Sequence, residues 1–237
     1  MTVYLFDMDG TLTAPRVPME REFAKVFIEW LKTHKAYIAT GSDFLKVQEQ
    51  LPEDIINSFT GIFCSMGNQF RKGRTIIYQN EFLLSDELRK DLENYRKISK
   101  YPGPFYSNYI EERVGMVNFS ILGRNCPFED RQRYSLWDFK NKERQSIQLF
   151  LQKKYPNLEI SVGGAISIDI TPTGHGKGQI ASAVRKKYPS DEIVFFGDKT
   201  FEGGNDYELA QSLRAIPNTK IIQVDGPENV LIELNIV

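Results

Sequence analysis

Two rhythms of apolar and polar positions run along the chain. Short apolar runs rich in β-branched and aromatic residues, Val3-Tyr4-Leu5-Phe6, Ala36-Tyr37-Ile38-Ala39, Gly61-Ile62-Phe63-Cys64 and Ile193-Val194-Phe195-Phe196, predict buried strands. Between the first two, Phe23, Val26, Phe27, Trp30 and Leu31 recur at three- and four-residue steps, predicting a helix over Arg21 to His34. Strand, helix, strand is the order of a parallel βαβ unit. A second helix from Phe44 to Leu51 extends it, and hairpin-like segments at Phe70 and Thr75 to Tyr78 interrupt it.

From about Phe82 the rhythm changes. A charged helix over Asp86 to Ser99 precedes strands at Tyr109 to Arg113 and Met116 to Ile121. A polar helix from Asn141 to Tyr155 follows, then strands at Leu158 to Val162 and Ala165 to Ile170. Helices and antiparallel strands without βαβ alternation predict a separate α+β unit inserted into the first. The parallel pattern resumes with a helix from Lys177 to Lys187, the strand ending at Gly197-Asp198, a helix over Asp206 to Ser212 and a strand over Thr219 to Val224. The expected organisation is a core over residues 1–81 and 177–237, interrupted by an inserted unit over 82–176.

Composition narrows the function classes. The 237 residues are 41% hydrophobic and 26% charged, the balance of a globular protein. Thirty Lys+Arg against thirty-one Asp+Glu give a net charge of −1, so no global field favours nucleic acid or an anionic membrane surface, and any phosphate chemistry must come from local clusters. No run approaches the roughly 18 apolar residues of a membrane span. Cys64 and Cys126, in otherwise ordinary sequence, do not make a disulfide framework or a four-ligand zinc site, and they suggest a reducing compartment. The expectation is a cytoplasmic protein.

Ligands of open parallel sheets bind beyond the carboxyl ends of the strands. Here those ends carry Asp7 and Asp9, Thr40 and Ser42, and Asp198. Asp7 and Asp9, two apart, would share one side in regular strand geometry, and Gly10-Thr11 lets the chain turn. Asp-x-Asp-Gly alone also suits a solvated turn; Gly197-Asp198 after another buried strand is what marks a site. Convergent carboxylates suit a hard cation such as Mg²⁺ acting with a substrate phosphate.

Asp7-Met8-Asp9-Gly10-Thr11, Thr40/Ser42, Lys177 and Gly197-Asp198 stand in the order of the four motifs of haloacid dehalogenase-like phosphotransferases. The stretches from Asp9 to Arg16, Gly41 to Leu51, Gly123 to Cys126 with Arg131, Gly163 to Asp169 and Gly197 to Asp206 resemble the eukaryotic-type phosphomannomutases more specifically. The resemblance implies an α/β fold, a Rossmann-like parallel-sheet core with an inserted α+β cap domain. It implies Asp7 as the nucleophile that becomes an aspartyl phosphate, Asp9 as acid/base, and Lys177 as the cation neutralising both Asp7 and the transferring phosphoryl. It also implies Mg²⁺ on the Asp7 carboxylate, the Asp9 backbone carbonyl and Asp198, with Asn205 and Asp206 in support. Arg16, Arg113, Arg124, Arg131, Ser167 and Asp169 would grip the phosphate that is not reacting, a task suited to guanidinium forks. A hexose phosphate substrate, a hexose 1,6-bisphosphate activator and a homodimer joined through the caps complete the implied picture.

Several positions depart from the family. Thr40-Gly41-Ser42-Asp43 replaces Gly-Gly-Ser-Asp, so Thr40 becomes a candidate phosphate-binding hydroxyl. Thr173-Gly174-His175-Gly176 precedes Lys177 where Asp-Gly-Trp-Asp is usual, Ser65-Met66-Gly67 replaces Glu-Asn-Gly, and Ser212 occupies an acidic position of the family's second cation site. The first two changes resemble related sugar phosphatases. A phosphohexomutase and a Mg²⁺-dependent sugar-phosphate phosphatase are therefore both open, differing in whether sugar or water takes the phosphoryl group from Asp7. A non-catalytic sugar-phosphate binder is disfavoured by the intact Asp7, Asp9, Lys177 and Asp198.

Overall fold

The structure, a computed structural model, describes residues 1–236; Val237, the last residue of the expected returning core segment, lies outside them. The chain divides into two compact units, one of Met1–Asn80 with His175–Val237 and one of Glu81–Gly174.

The first unit is built on strands β1 (Thr2–Phe6), β2 (Lys35–Ala39), β3 (Gly61–Cys64), β4 (Gln69–Lys72) and β5 (Thr75–Gln79). After the insertion come β10 (Glu192–Gly197) and β11 (Thr219–Gln223). They form a seven-stranded sheet in the order β11-β10-β1-β2-β3-β4-β5. The five strands from β11 to β3 are parallel, whereas β4 and β5 pair antiparallel and extend the sheet, so the hairpin-like segments continue the parallel pattern's sheet rather than leave it. Alternation along β1 sends Val3 and Leu5 to one face and Phe6 to the other. Helices α1 (Arg21–Leu31), α2 (Phe44–Gln50), α3 (Glu53–Ser58) and α9 (Pro227–Glu233) pack with Phe6. Helices α7 (Gln179–Lys187) and α8 (Tyr207–Arg214) pack with Val3 and Leu5. This is the α/β core expected from the apolar runs, with helices on both faces. Because β1 lies between β10 and β2 with all three parallel, Asp7, Asp198 and Thr40 leave the same edge of the sheet.

The second unit has a four-stranded antiparallel sheet in the order β6-β7-β9-β8, from β6 (Ile110–Arg113), β7 (Met116–Phe119), β8 (Leu158–Gly163) and β9 (Ser167–Pro172). Helices α4 (Asp86–Ile98), α5 (Phe128–Asn141) and α6 (Glu143–Lys154) contribute Leu88, Leu92, Tyr134, Ile147 and Leu151 to a core with Val117, Phe119, Ile160, Ile168 and Ile170. Period-two alternation then leaves Glu111, Arg113, Asn118, Ser167 and Asp169 on the opposite, polar face. Helix α5 falls where no helix is expected. Its buried positions are Asp130, Tyr134 and Asp138, so two of the three residues marking its inner stripe are charged. Among the described residues no helix is long and apolar enough to cross a membrane.

Candidate active site

Strand geometry ends at Phe6. The Asp7 amide still donates to the carbonyl of Phe196, and then the amides of Leu12 and Thr13 both turn back to the carbonyl of Met8, at 3.0 Å each. Gly10 has φ +91°, and a Cβ there would lie 2.5 Å from Asp198 Oδ2, so glycine permits this turn to pass close to the neighbouring strand end. With strand geometry already ended, the turn gives Asp7 and Asp9 different partners, the separation that Gly10-Thr11 allows. Asp7 points inward to Lys177, while Asp9 accepts the backbone N–H of Arg16 (2.9 Å) and the Ser42 hydroxyl (3.3 Å).

Lys177 Nζ donates to Asp7 Oδ1 at 2.7 Å and to Asp206 Oδ1 at 2.5 Å, with all three residues at most 2% exposed. Buried ions are costly unless paired, and here one ammonium faces two carboxylates. Burial, followed by repulsion from Asp206, pushes the Asp7 carboxyl up to about 8 against the pull of Lys177. Burial would lower the Lys177 ammonium, but Asp206 and Asp7 outweigh it and hold its pKa above the ordinary lysine value. Asp198, raised chiefly by burial, pairs with Lys199 at 2.5 Å.

The donor set fits a hard divalent cation. Asp7, Asp198 and Asp206 each offer a carboxylate oxygen, all within 4.8 Å of one another. Asp7 Oδ2, Asp198 Oδ1 and Asn205 Oδ1 are buried acceptors with no hydrogen-bond partner among the described residues. Buried acceptors are ordinarily satisfied, and Mg²⁺ takes oxygen ligands. Asp206, expected only in support, stands in this carboxylate set beside Asp7; the Asp9 carboxylate does not.

Burial and Asp206 push the Asp7 carboxyl up to about 8 and so favour a proton there, with which a cation has to compete. Mg²⁺ affinity should therefore rise roughly tenfold per pH unit from pH 6 and level off above pH 8. In the metal-free protein stability should fall as pH rises from the ordinary carboxylate value, 3.8, to about 8, because folded Asp7 holds a proton that the unfolded chain has released. Titration calorimetry and thermal melts at fixed ionic strength read both. Flat Mg²⁺ affinity from pH 6 to 8 would show Asp7 already ionised.

Thr40 is buried, and its Oγ1 accepts the Ser42 amide at 3.0 Å, so its hydroxyl shapes the turn that presents Ser42. That turn leans on a second one: the amides of Ser65 and Met66 donate to the carbonyls of Ser42 and Thr40. Ser65 and Met66 adopt φ values of 48° and 61°, in the left-handed region that bulky residues avoid. The departure Ser65-Met66-Gly67 is thus a backbone support of the Thr40–Ser42 loop.

In the second unit Arg113 pairs with Glu111, and Arg124 donates to Ser167 Oγ at 2.7 Å and lies 3.5 Å from Glu111. Asp169 accepts from Asn118; burial raises its carboxyl, with Arg113, Arg124 and Arg144 pulling the other way. Arg113, Arg124, Ser167 and Asp169 are therefore brought together on the polar sheet face. Arg131 lies half-buried on α5, and Arg16 is exposed in the turn after Asp9 in the first unit. Glu111, Asn118 and Arg144 are not among the expected residues. The first two are legible from strand alternation. Arg144 carries no sequence signal, yet it is buried against Asp138 at 2.7 Å and donates to the carbonyls of Gly163, Gly164 and Ser167, fixing the turn that carries Ser167.

The model of the family described as eukaryotic phosphomannomutase matches residues 23–236. A phosphomannomutase of Spinacia oleracea is 37% identical over 236 residues, covering 97% of this chain and 92% of its own. Phosphomannomutase 2 of Dictyostelium discoideum is 34% identical over 251 residues, covering 99% and 95%. Among solved structures, the N-terminally truncated, IMP-bound IMP-nucleotidase of Plasmodium falciparum superposes with a TM-score of 0.65 at 13% identity, over 100% of this chain and 68% of that one. The trehalose-6-phosphate phosphatase of Aspergillus fumigatus does so with 0.55 at 17%, over 99% and 91%. At such identities these structural likenesses speak to the fold alone.

Proposed function

Because the chain belongs to the eukaryotic phosphomannomutase family, within the haloacid dehalogenase-like phosphotransferases, we propose that it interconverts mannose 6-phosphate and mannose 1-phosphate. The route is an aspartyl phosphate on Asp7 and a hexose 1,6-bisphosphate. The observation that carries this reading is a second anion-suited cluster, Arg113, Arg124 and Ser167, on a different unit from the Asp7–Lys177 pair. A mutase substrate carries phosphate at one end and accepts it at the other, so it needs a grip for the phosphate that is not reacting.

In the proposed chemistry an Asp7 oxygen attacks phosphorus of the bisphosphate and the sugar oxygen leaves, taking a proton from Asp9. In the second half the other monophosphate's free hydroxyl gives its proton to Asp9 and attacks the phosphoryl group on Asp7, regenerating the carboxylate. Lys177, held between Asp7 and Asp206, offsets charge on the transferring group. Mg²⁺, for which Asp7, Asp198 and Asp206 supply oxygens, would add Lewis-acid stabilisation of the same charge. Ser42, bonded to Asp9, orients the acid/base, and the buried Thr40 holds the turn that presents Ser42.

The Thr40-Gly41 start and the Thr173–Gly176 segment favour the second reading, in which water takes the phosphoryl group. Arg124→Ala separates them. A charge-assisted phosphate contact contributes roughly 1.5–3 kcal/mol, so KM for mannose 1-phosphate should rise about ten- to a hundredfold. Hydrolysis of a small aryl phosphate, which lacks a distal anion, should change little. Equal loss on both substrates would remove the distal-grip argument.

The same reading takes the enzyme to be a cytoplasmic homodimer joined through the caps. Its support is the exposed face of α5, where Phe128, Leu136 and Phe139 are 71%, 67% and 72% exposed, and two free thiols, Cys64 and Cys126.

A further inference from the structure

Lys177 is held at both ends by the start of α8. Asp206, just before that helix, takes the ammonium; Glu208, in its first turn, takes the backbone. Glu208 Oε2 accepts the Lys177 amide at 3.0 Å, and Oε1 accepts the Gly178 amide at 2.8 Å. Helix α7 has no side-chain cap of its own at Gly178, so these donors ahead of its first turn are met by a carboxylate from another helix. Gly178 has ordinary helical backbone angles, so it is not there for conformational freedom. A Cβ at Gly178 would lie 2.5 Å from Ser212 Oγ and 2.8 Å from Glu208 Oε1, in the space the carboxylate uses.

Two consecutive amides bound by one carboxylate fix the orientation of the Lys177 backbone, and with it the direction of its long side chain. A swing of about 10° there moves the ammonium by about 1 Å, and misplacement of that size can cost on the order of 10²-fold in rate. We propose that Glu208, with Gly178 as its required small partner, is a positioning clamp that aims the Lys177 ammonium at Asp7. The inference rests on the reading that Lys177 serves phosphoryl transfer at Asp7, but it does not depend on whether sugar or water receives the group.

The test compares Glu208→Gln, Gly178→Ala and the double variant in the full chain with Mg²⁺. The readouts are isomerisation of mannose 1-phosphate, hydrolysis of an aryl phosphate, amide hydrogen exchange at residues 177 and 178, and thermal midpoint. Glutamine keeps the shape but replaces one acceptor with a donor, and alanine pushes the carboxylate aside without removing charge. Each single variant should lose amide protection and lower kcat about ten- to a hundredfold, with KM within twofold and the protein folded at the assay temperature. The double variant should be no slower than the slower single, since both break one device. A merely structural cap would lower the thermal midpoint and leave kcat within twofold, and that result overturns the proposal. So does a double-variant loss equal to the product of the singles. Should the wild type release phosphate without isomerising, the mutase reading fails while the clamp is still judged on the hydrolysis ratios.

Discussion

Asp7→Asn is expected to leave less than a few per cent of wild-type phosphoryl transfer, the largest loss of any single change in the chain. An amide oxygen is a poor nucleophile, and transfer without a covalent intermediate must pass through one harder displacement instead of two easier ones. The substitution also removes one of two carboxylates facing Lys177 and one oxygen ligand from the set Asp7, Asp198 and Asp206. The fold should survive, because Asp206 still pairs the buried ammonium and the introduced side-chain amide presents a carbonyl to it. The check is turnover in a preparation free of contaminating phosphatase, beside trapping of fluoroberyllate as an aspartyl-phosphate mimic. Normal trapping, or turnover above a few per cent, would take the nucleophile's role away from Asp7.

Asp9→Asn should weaken transfer between sugar and enzyme by on the order of 10²–10⁴, the usual worth of a positioned acid or base. Its carboxylate stands outside the Asp7, Asp198 and Asp206 set and is oriented by the Arg16 amide and the Ser42 hydroxyl. Asparagine keeps an acceptor for one of these but cannot carry the proton. Mg²⁺ affinity, followed by calorimetry, should change by less than about threefold. Collapse of Mg²⁺ binding with normal residual chemistry would mean that Asp9 acts through the cation instead.

The parts of the fold visible in the sequence are those whose burial is apolar. Strands β1, β2, β3 and β10 are buried runs bounded by polar residues, and their parallel order follows from the helices between them. Helix α5 is hidden because Asp130 and Asp138 occupy its inner stripe: Asp130 is satisfied by Tyr106, 24 residues back, and Asp138 by Arg144, which is itself held by the carbonyls of Gly163, Gly164 and Ser167 far along the chain. Asp7 and Asp9 meet different partners because strand geometry ends at Phe6 and the chain turns about the Met8 carbonyl, so alternation does not extend to them. The carboxylates at strand ends are legible because topology alone brings them to one edge. Glu208 is not, since a glutamate in a helix's first turn reads as a favourable charge on its own helix dipole, and its partners lie 30 and 31 residues away.

The most direct test of the central claim is a time course with mannose 1-phosphate, Mg²⁺ and a trace of hexose 1,6-bisphosphate, following mannose 6-phosphate and free phosphate together. The proposed mutase predicts that the 6-phosphate accumulates toward equilibrium while phosphate release stays at a small fraction of turnover. Stoichiometric phosphate release without the isomer would contradict it and make the enzyme a phosphatase on the same scaffold.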